Sequence, residues 1–198
     1  MGALGFYNSG NKYSYKGATP LTDAMFGIRY IISNDEIWAS NLSLCEQTEN
    51  KYIYENQQNL ALGYMVNPGV TQWKIVEGDP FVTQNDFVRM ATDTQGAMFI
   101  PLETGEPQVT DGMLTSTGED KYYYERHGSG GSLTWQLTFT EQQDVYIYFE
   151  ASHCEKLKVT IDGKTETYSD KRGHIVHLGQ CDAGKVVTLD FPMDSEYE

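Results

Sequence analysis

No stretch of this 198-residue chain approaches the roughly 18 consecutive apolar residues that a membrane-spanning helix needs. The start also lacks the Lys-rich head and apolar core of a secretory leader. Both ends read as cut, which is expected of a soluble piece excised from something longer. Basic residues are scarce. Fourteen Lys and Arg face 28 Asp and Glu, for a formal charge of −14. Nucleic acid is therefore excluded as a partner, because phosphate binding needs a basic stripe. An anionic lipid surface or polyanionic polymer would be repelled unless a cation bridges them. Cysteine is scarce too: Cys45, Cys154 and Cys181 are too few and too spread for a disulfide framework or a zinc knuckle. Cys154 and Cys181 share the C-terminal half and could pair, although thiols are the simpler reading. Neither half shows an internal repeat, and no cofactor-binding signature is present.

Aromatic residues are abundant, with 14 Tyr, 8 Phe and 3 Trp, and their burial offsets the entropy of ordering the chain. Residues 3–18, rich in Gly, Asn, Ser and Tyr, read as an irregular or extended lead-in. Thr19-Pro20 starts a short helix that Gly27 ends in a left-handed C-cap. Ile28 to Ile32 read as a strand. Ser33 to Glu49 is polar and gives no clear signal, and its Asn41-Leu42-Ser43 acceptor matters only in a eukaryotic secretory setting. Lys51–Tyr54 and Leu62–Val66 are candidate strands, with Gln72–Val76 a further one. A helix follows, capped by Asp79 with Pro80 at its first position, or by Thr83 with Asp86 three residues on. Phe81, Phe87, Val88, Met90 and Ala91 supply its apolar stripe.

Past Gly96 the character changes. Residues 103–118 mix Gly, Pro, Thr and acids and read as a boundary or long connection. From Asp120 the apolar period becomes two. Leu133, Trp135, Leu137 and Phe139 alternate with Thr and Gln. Val145, Ile147 and Phe149 alternate with Tyr146 and Tyr148. Asp162-Gly163 between two short alternating runs is a hairpin signal, and HIVHL and KVVTLDF complete six or seven strands. The fold class expected is an α+β N-terminal unit followed by an antiparallel, jelly-roll-like β-sandwich, mainly β overall. The domain division expected is 1–102 and 103–198, with the one clear helix near 80–93.

Candidate chemistry is sparse. His174 and His177 are three apart on a strand, so their rings point to opposite faces and do not share a metal. His127 and His153 fall in or near turns without ligand-spaced neighbours. The His127–Ser132 loop is Gly-rich, but a strand follows where a phosphate cradle needs a helix, and no lysine is near. No catalytic residue and no metal ligand is therefore assigned. Glu55 and Asn56 end an apolar-aromatic strand. Glu55 either accepts hydrogen bonds from nearby backbone N–H groups or contacts a ligand. Tyr122, Tyr124, Tyr146 and Tyr148 offer rings that stack on sugar faces or fill a protein interface. These six residues are the candidate ligand contacts.

Three segments carry a family resemblance. The lead-in LGFYNSGNKYSYKGATPLTDAMFGIRYIIS, the pair YIYEN…LALGYMV, and GDPFVTQNDFVRMAT are similar to runs of the YfhO family of bacterial multi-pass membrane proteins. Arg29 stands at a position usually Lys, Gln57 and Gln58 replace the usual residues, Ala61 takes a proline position, and Asp79 precedes the proline of the third run. The match covers most of residues 3–93, and the C-terminal half matches only in style. The resemblance implies a membrane glycosyltransferase of the GT-C type that adds sugars from a polyprenyl-phosphate donor to teichoic acid or a related surface polymer. In that class the catalytic acid lies in an early loop outside the membrane, and nothing here matches it.

The function expected is thus an extracytoplasmic, non-catalytic domain at the outer face of the bacterial membrane. Its partners are the membrane-embedded part of the same protein and a cell-surface glycan or teichoic acid, with no cofactor. The alternative is a free-standing secreted carbohydrate-binding β-sandwich module. A self-contained hydrolase is a third reading, and it would require a carboxylate pair whose substitution abolishes activity.

Overall fold

The computed structural model describes residues 1–9, 12–118, 121–128, 130–150, 154, 156–168 and 173–193. Asp120, His153 and position 129 of the His127–Ser132 loop lie outside the described residues. The chain is mainly β, and all the strand pairs whose registers are described are antiparallel. It divides into two compact units. The first comprises Met1–Pro101, Gln143–Phe149 and Gly173–Gln180, and the second comprises Leu102–Gln142, Glu150–Arg172 and Cys181–Glu198.

In the first unit, a 3-10 turn Gly2–Leu4 precedes the short pair β1 (Asn8–Ser9) and β2 (Lys12–Tyr13). Helix α1 (Pro20–Met25) begins where Thr19-Pro20 predicts it. Thr19 and Thr22 form a reciprocal capping box, and Gly27 ends the turn at φ 62°. Strands β3 (Tyr30–Ser33), β4 (Leu42–Gln47) and β5 (Tyr52–Asn56) form one sheet in the order β3-β5-β4. Ile31 and Tyr54 pair across it and are buried, while Tyr30 and Ile32 project from the opposite face and are exposed. Strand β4 occupies the polar segment that gave no clear signal.

Two expected strands are absent. Residues 62–66 have no strand pairing, and a 3-10 turn, Pro68–Gln72, runs into irregular backbone over 73–76. The physical reason lies at Asn67-Pro68. The Asn67 side chain accepts from the Gly69 N–H, and Pro68 sets the first turn position, so local capping overrides the apolar run.

Helix α2 (Pro80–Thr92) is capped by Asp79, whose carboxylate accepts from the Val82 N–H at 2.9 Å. Of the two possible caps, Asp79 is the one used. Its most buried face is Pro80, Thr83, Gln84 and Ala91, polar at its centre. Phe87 meets Trp73 edge-on and Phe81 meets Phe99. Replacing Asp79 with Ala removes the cap, and a loss of about 1 kcal/mol is expected in the chemical denaturation of the 198-residue chain. An unchanged midpoint would show that the cap contributes nothing.

The first unit is completed by β10 (Gln143–Phe149) and β13 (His174–Cys181, its last residue excepted), which pair as a two-stranded sheet. The Ile175 N–H donates to the Gly5 carbonyl at 2.8 Å, and Tyr7 packs edge-on against His174. Val145, Ile175 and Val176 join Leu4 and Phe6 among the buried apolar residues of this unit.

In the second unit, residues 103–118 hold β6 (Gln108–Thr110) and β7 (Gly112–Gly118), where the sequence suggested a connection. Strand β7 pairs with β8 (Lys121–Arg126). The main sheet runs β12-β11-β14-β9-β6, with β9 (Ser132–Thr138), β11 (Leu157–Ile161), β12 (Lys164–Tyr168) and β14 (Val186–Pro192). Its register sets Val159 opposite Leu189 and Leu189 opposite Trp135, with Val187 opposite Leu137, so one face is apolar across three strands. Lys158, Thr160, Thr188, Asp190, Thr134 and Gln136 take the other face, as period-two alternation requires. The β11–β12 hairpin turns at Asp162 (φ 51°) and Gly163 (φ 76°), both left-handed as expected of Asp-Gly. Cys154 and Cys181 carry buried thiols in this unit, whereas Cys45 is an exposed thiol in the first.

Candidate functional site

Helix α1 is too short to be stable alone, and a buried polar network fixes it. Thr19 Oγ1 donates to Gln84 Oε1 at 2.7 Å, and Gln84 Nε2 donates to the Leu4 carbonyl at 2.9 Å. Thr19, Thr22 and Gln84 are all essentially inaccessible. Held in this way, α1 places Asp23 in the wall of a pocket of about 180 Å³. Tyr15, Thr19, Asn41, Tyr146, Ile175 and His177 share that wall.

Asp23 is 5% exposed. Among the described residues its carboxylate receives one side-chain donor, the Tyr15 hydroxyl, at 2.7 Å from Oδ1 and 2.8 Å from Oδ2. Burial raises its pKa from 3.8 to about 6, although the Tyr15 hydrogen bond pulls the other way. Opposite, the Tyr146 and His177 rings stack at 4.4 Å between centroids, and His177 Nε2 lies 3.3 Å from Asp144 Oδ1. Burial holds the His177 pKa below its ordinary value despite Asp144, so the ring is neutral at pH 7. Burial raises the Tyr146 phenol, and the charges of Asp144 and Asp23 add to the effect. A buried acid, a neutral imidazole and two phenols converge on one concavity, and such clustering of shifted groups makes it the candidate site of this unit.

The six expected contacts are dispersed. Glu55 pairs with Arg29 at 3.1 Å on the exposed face of β5, so its partner is a guanidinium instead of backbone N–H groups. Asn56 is fully buried. Its oxygen accepts from Asn41 Nδ2 and the Gln58 N–H, and its amide donates to the Ile28 carbonyl. It therefore positions Asn41, which lines the pocket. Tyr146 lines the pocket directly, whereas the Tyr148 hydroxyl lies against Gly173, 2.5 Å from where a Cβ there would fall. Tyr122 and Tyr124 belong to the second unit. The Tyr124 hydroxyl donates to the Thr110 and Asp111 carbonyls. Tyr122 is 47% exposed, packs edge-on against Trp135, and lines an open groove of about 440 Å³ with Glu106, Val109, Met113 and Ser116.

Sequence reasoning missed Asp23 and Tyr15. The only signal available was an acid inside a short capped helix, and nothing in its neighbours tells that it is buried. It also read His174 and His177 for metal alone. They meet different partners, Tyr7 and Tyr146.

The whole chain, residues 1–198, matches the family described as bacterial membrane protein YfhO. The chain belongs to the YfhO family. No curated protein matches it. Among the described residues of this YfhO chain, no helix is long and apolar enough to cross a membrane. The segments that carry the YfhO resemblance have defined structural roles. In the DPFVTQN run, Asp79 and Pro80 start α2 and Gln84 ties α1 to the first turn. Asn85, inside α2, clamps residues 98–99 by accepting from the Met98 and Phe99 N–H groups and donating to the Phe99 carbonyl. Phe99 then packs edge-on against Tyr146, so the YfhO signature supports one wall of the pocket.

Proposed function

We propose that this chain is an extracytoplasmic, non-catalytic domain of a bacterial membrane glycosyltransferase that adds sugars to teichoic acid or a related surface polymer. Its partner is the membrane-embedded part of the same protein. One observation carries the docking role. In a chain of a membrane-protein family, the loop at residues 60–66 holds Leu62 98% exposed and Met65 97% exposed. Each such side chain gains roughly 1.5–3 kcal/mol when fully buried, so a partner surface is the natural cover. The groove beside Tyr122 supports a second partner, the surface glycan. It sets an aromatic ring and apolar side chains beside the Ser116 hydroxyl and the Glu106 carboxylate, the mixture that a sugar's C–H face and hydroxyl edges need.

Cys45 supplies a test of location, because its thiol is exposed. In intact cells carrying the full-length protein, a membrane-impermeant maleimide is expected to label it, with the signal lost in Cys45→Ser. Labelling only after lysis would overturn the extracytoplasmic assignment. The docking role has its own readout. Leu62→Asp with Met65→Asp should leave the thermal midpoint of the 198-residue chain within about 2 °C while lowering sugar transfer by the full-length protein. Unchanged transfer would favour the free-standing module, which would then bind surface glycan without any membrane part.

A further inference from the structure

We propose that the pocket of the first unit binds a small organic cation, a single-ring amine of about hexosamine size, through the carboxylate of Asp23. The inference goes beyond the reading above and does not rest on it, because it requires neither a membrane nor a polymer.

Size comes first. The pocket measures about 180 Å³, and a cavity of about 150 Å³ accommodates a benzene ring, so a six-membered ring can enter with its outer substituents left at the open side. The pocket is open to solvent on one side, and Tyr15 in its wall is 40% exposed. Charge comes second. A carboxylate offers roughly four acceptor sites, yet Asp23 receives one phenolic proton and is almost inaccessible to water. A buried carboxylate is ordinarily matched by a cation or by several donors. Among the described residues, no lysine or arginine lines the pocket. Among the described residues, the titratable groups that surround Asp23 are Tyr15, Tyr146, His177 and, behind His177, Asp144. None supplies a positive charge at neutral pH, since the imidazole is neutral there.

A protonated amine fills this gap. It brings three donors and one charge, and the Tyr15 and Tyr146 side chains of the wall offer aromatic surface to a cation. An anion would meet the fields of Asp23 and Asp144 and is rejected. A neutral polyol of the same size could donate a hydroxyl but leaves the charge unpaired.

Glucosamine and glucose differ at the relevant group and make a direct test. The imidazole signals of His177, identified by their loss in His177→Gln, are followed by NMR as each sugar is added to the 198-residue chain near pH 7. Glucosamine is expected to shift them and to bind about tenfold or more tightly than glucose, as a hydrogen bond to a charged group requires. The preference should vanish in Asp23→Asn and fade as the pH is lowered through about 6, where Asp23 takes up a proton. Equal affinities, no shift with glucosamine, or a preference that survives in Asp23→Asn would each overturn the assignment. Should Asp23→Asn fail to fold, the comparison of the two sugars across pH on the unsubstituted chain decides alone.

Discussion

Asp23→Asn is expected to make the fold more stable near pH 7, by up to about 3 kcal/mol, and to make no difference below about pH 4. The sign follows from the two titrations. Unfolded, the carboxyl loses its proton near 3.8; folded, burial holds it until about 6. Near pH 7 it is ionised in both states, and folding must strip water from the charge. Near pH 3 it is protonated in both, and the penalty disappears. The penalty therefore grows as pH rises from about 4 to about 6, and asparagine never incurs it. Urea unfolding of both chains at several pH values measures this directly. A difference that is constant with pH, or a variant less stable near pH 7, would show that the carboxylate is better compensated than a single Tyr15 donor implies. A residue that destabilises its own fold fits a role in binding, where activity and stability commonly oppose each other.

Gly17→Ala is expected to destabilise by roughly 3–5 kcal/mol, combining a left-handed penalty with overpacking. Gly17 sits at φ +88°, and a Cβ there would fall 2.0 Å from the Gly5 carbonyl oxygen and 3.0 Å from Phe6 Cα. Both obstacles are backbone and cannot swing aside. Gly5 provides the control. It too is left-handed, at φ +90°, but its added Cβ would meet Ile175 Cδ1 at 2.3 Å, the movable end of a side chain. Thermal unfolding should therefore rank Gly17→Ala well below Gly5→Ala. In a double-mutant cycle Ile175→Ala should couple to Gly5→Ala and not to Gly17→Ala. Equal losses at the two glycines would mean that left-handed strain alone governs both.

Local chemistry was legible in the sequence, and distant pairing was not. The caps at Thr19-Pro20 and Asp79-Pro80 and the Asp162-Gly163 hairpin follow from a few neighbouring residues, and all three form where expected. Residues 62–66 mislead because an apolar run implies burial only if something covers it. Leu62 and Met65 are bare within this chain. β6 and β7 hide for the opposite reason: β6 is an edge strand and β7 belongs to a two-stranded ladder, so neither needs an apolar face. The period-two run at Val145–Phe149 announces a strand and its faces, yet it carries no information about which sheet receives it. The pocket was illegible for the same reason. Tyr15 and Asp23 come from the start of the chain, and Tyr146 and His177 from strands far along it.

The membership of β10 and β13 has a consequence for the order of events during synthesis. Residues 1–101 emerge first, but the Gly5 carbonyl waits for the Ile175 N–H, and Asp23 waits for Tyr146 and His177 to close its surroundings. At about 5–20 residues per second, the interval between Pro101 and Gly173 lasts several seconds. For that time the nascent chain holds an unfinished first unit, with Asp23 and Ile31 lacking the Tyr146, Ile175 and His177 side chains that share their pocket. Whatever attends the chain as it is made, whether a chaperone or a translocation channel, meets this half-built body before the finished one.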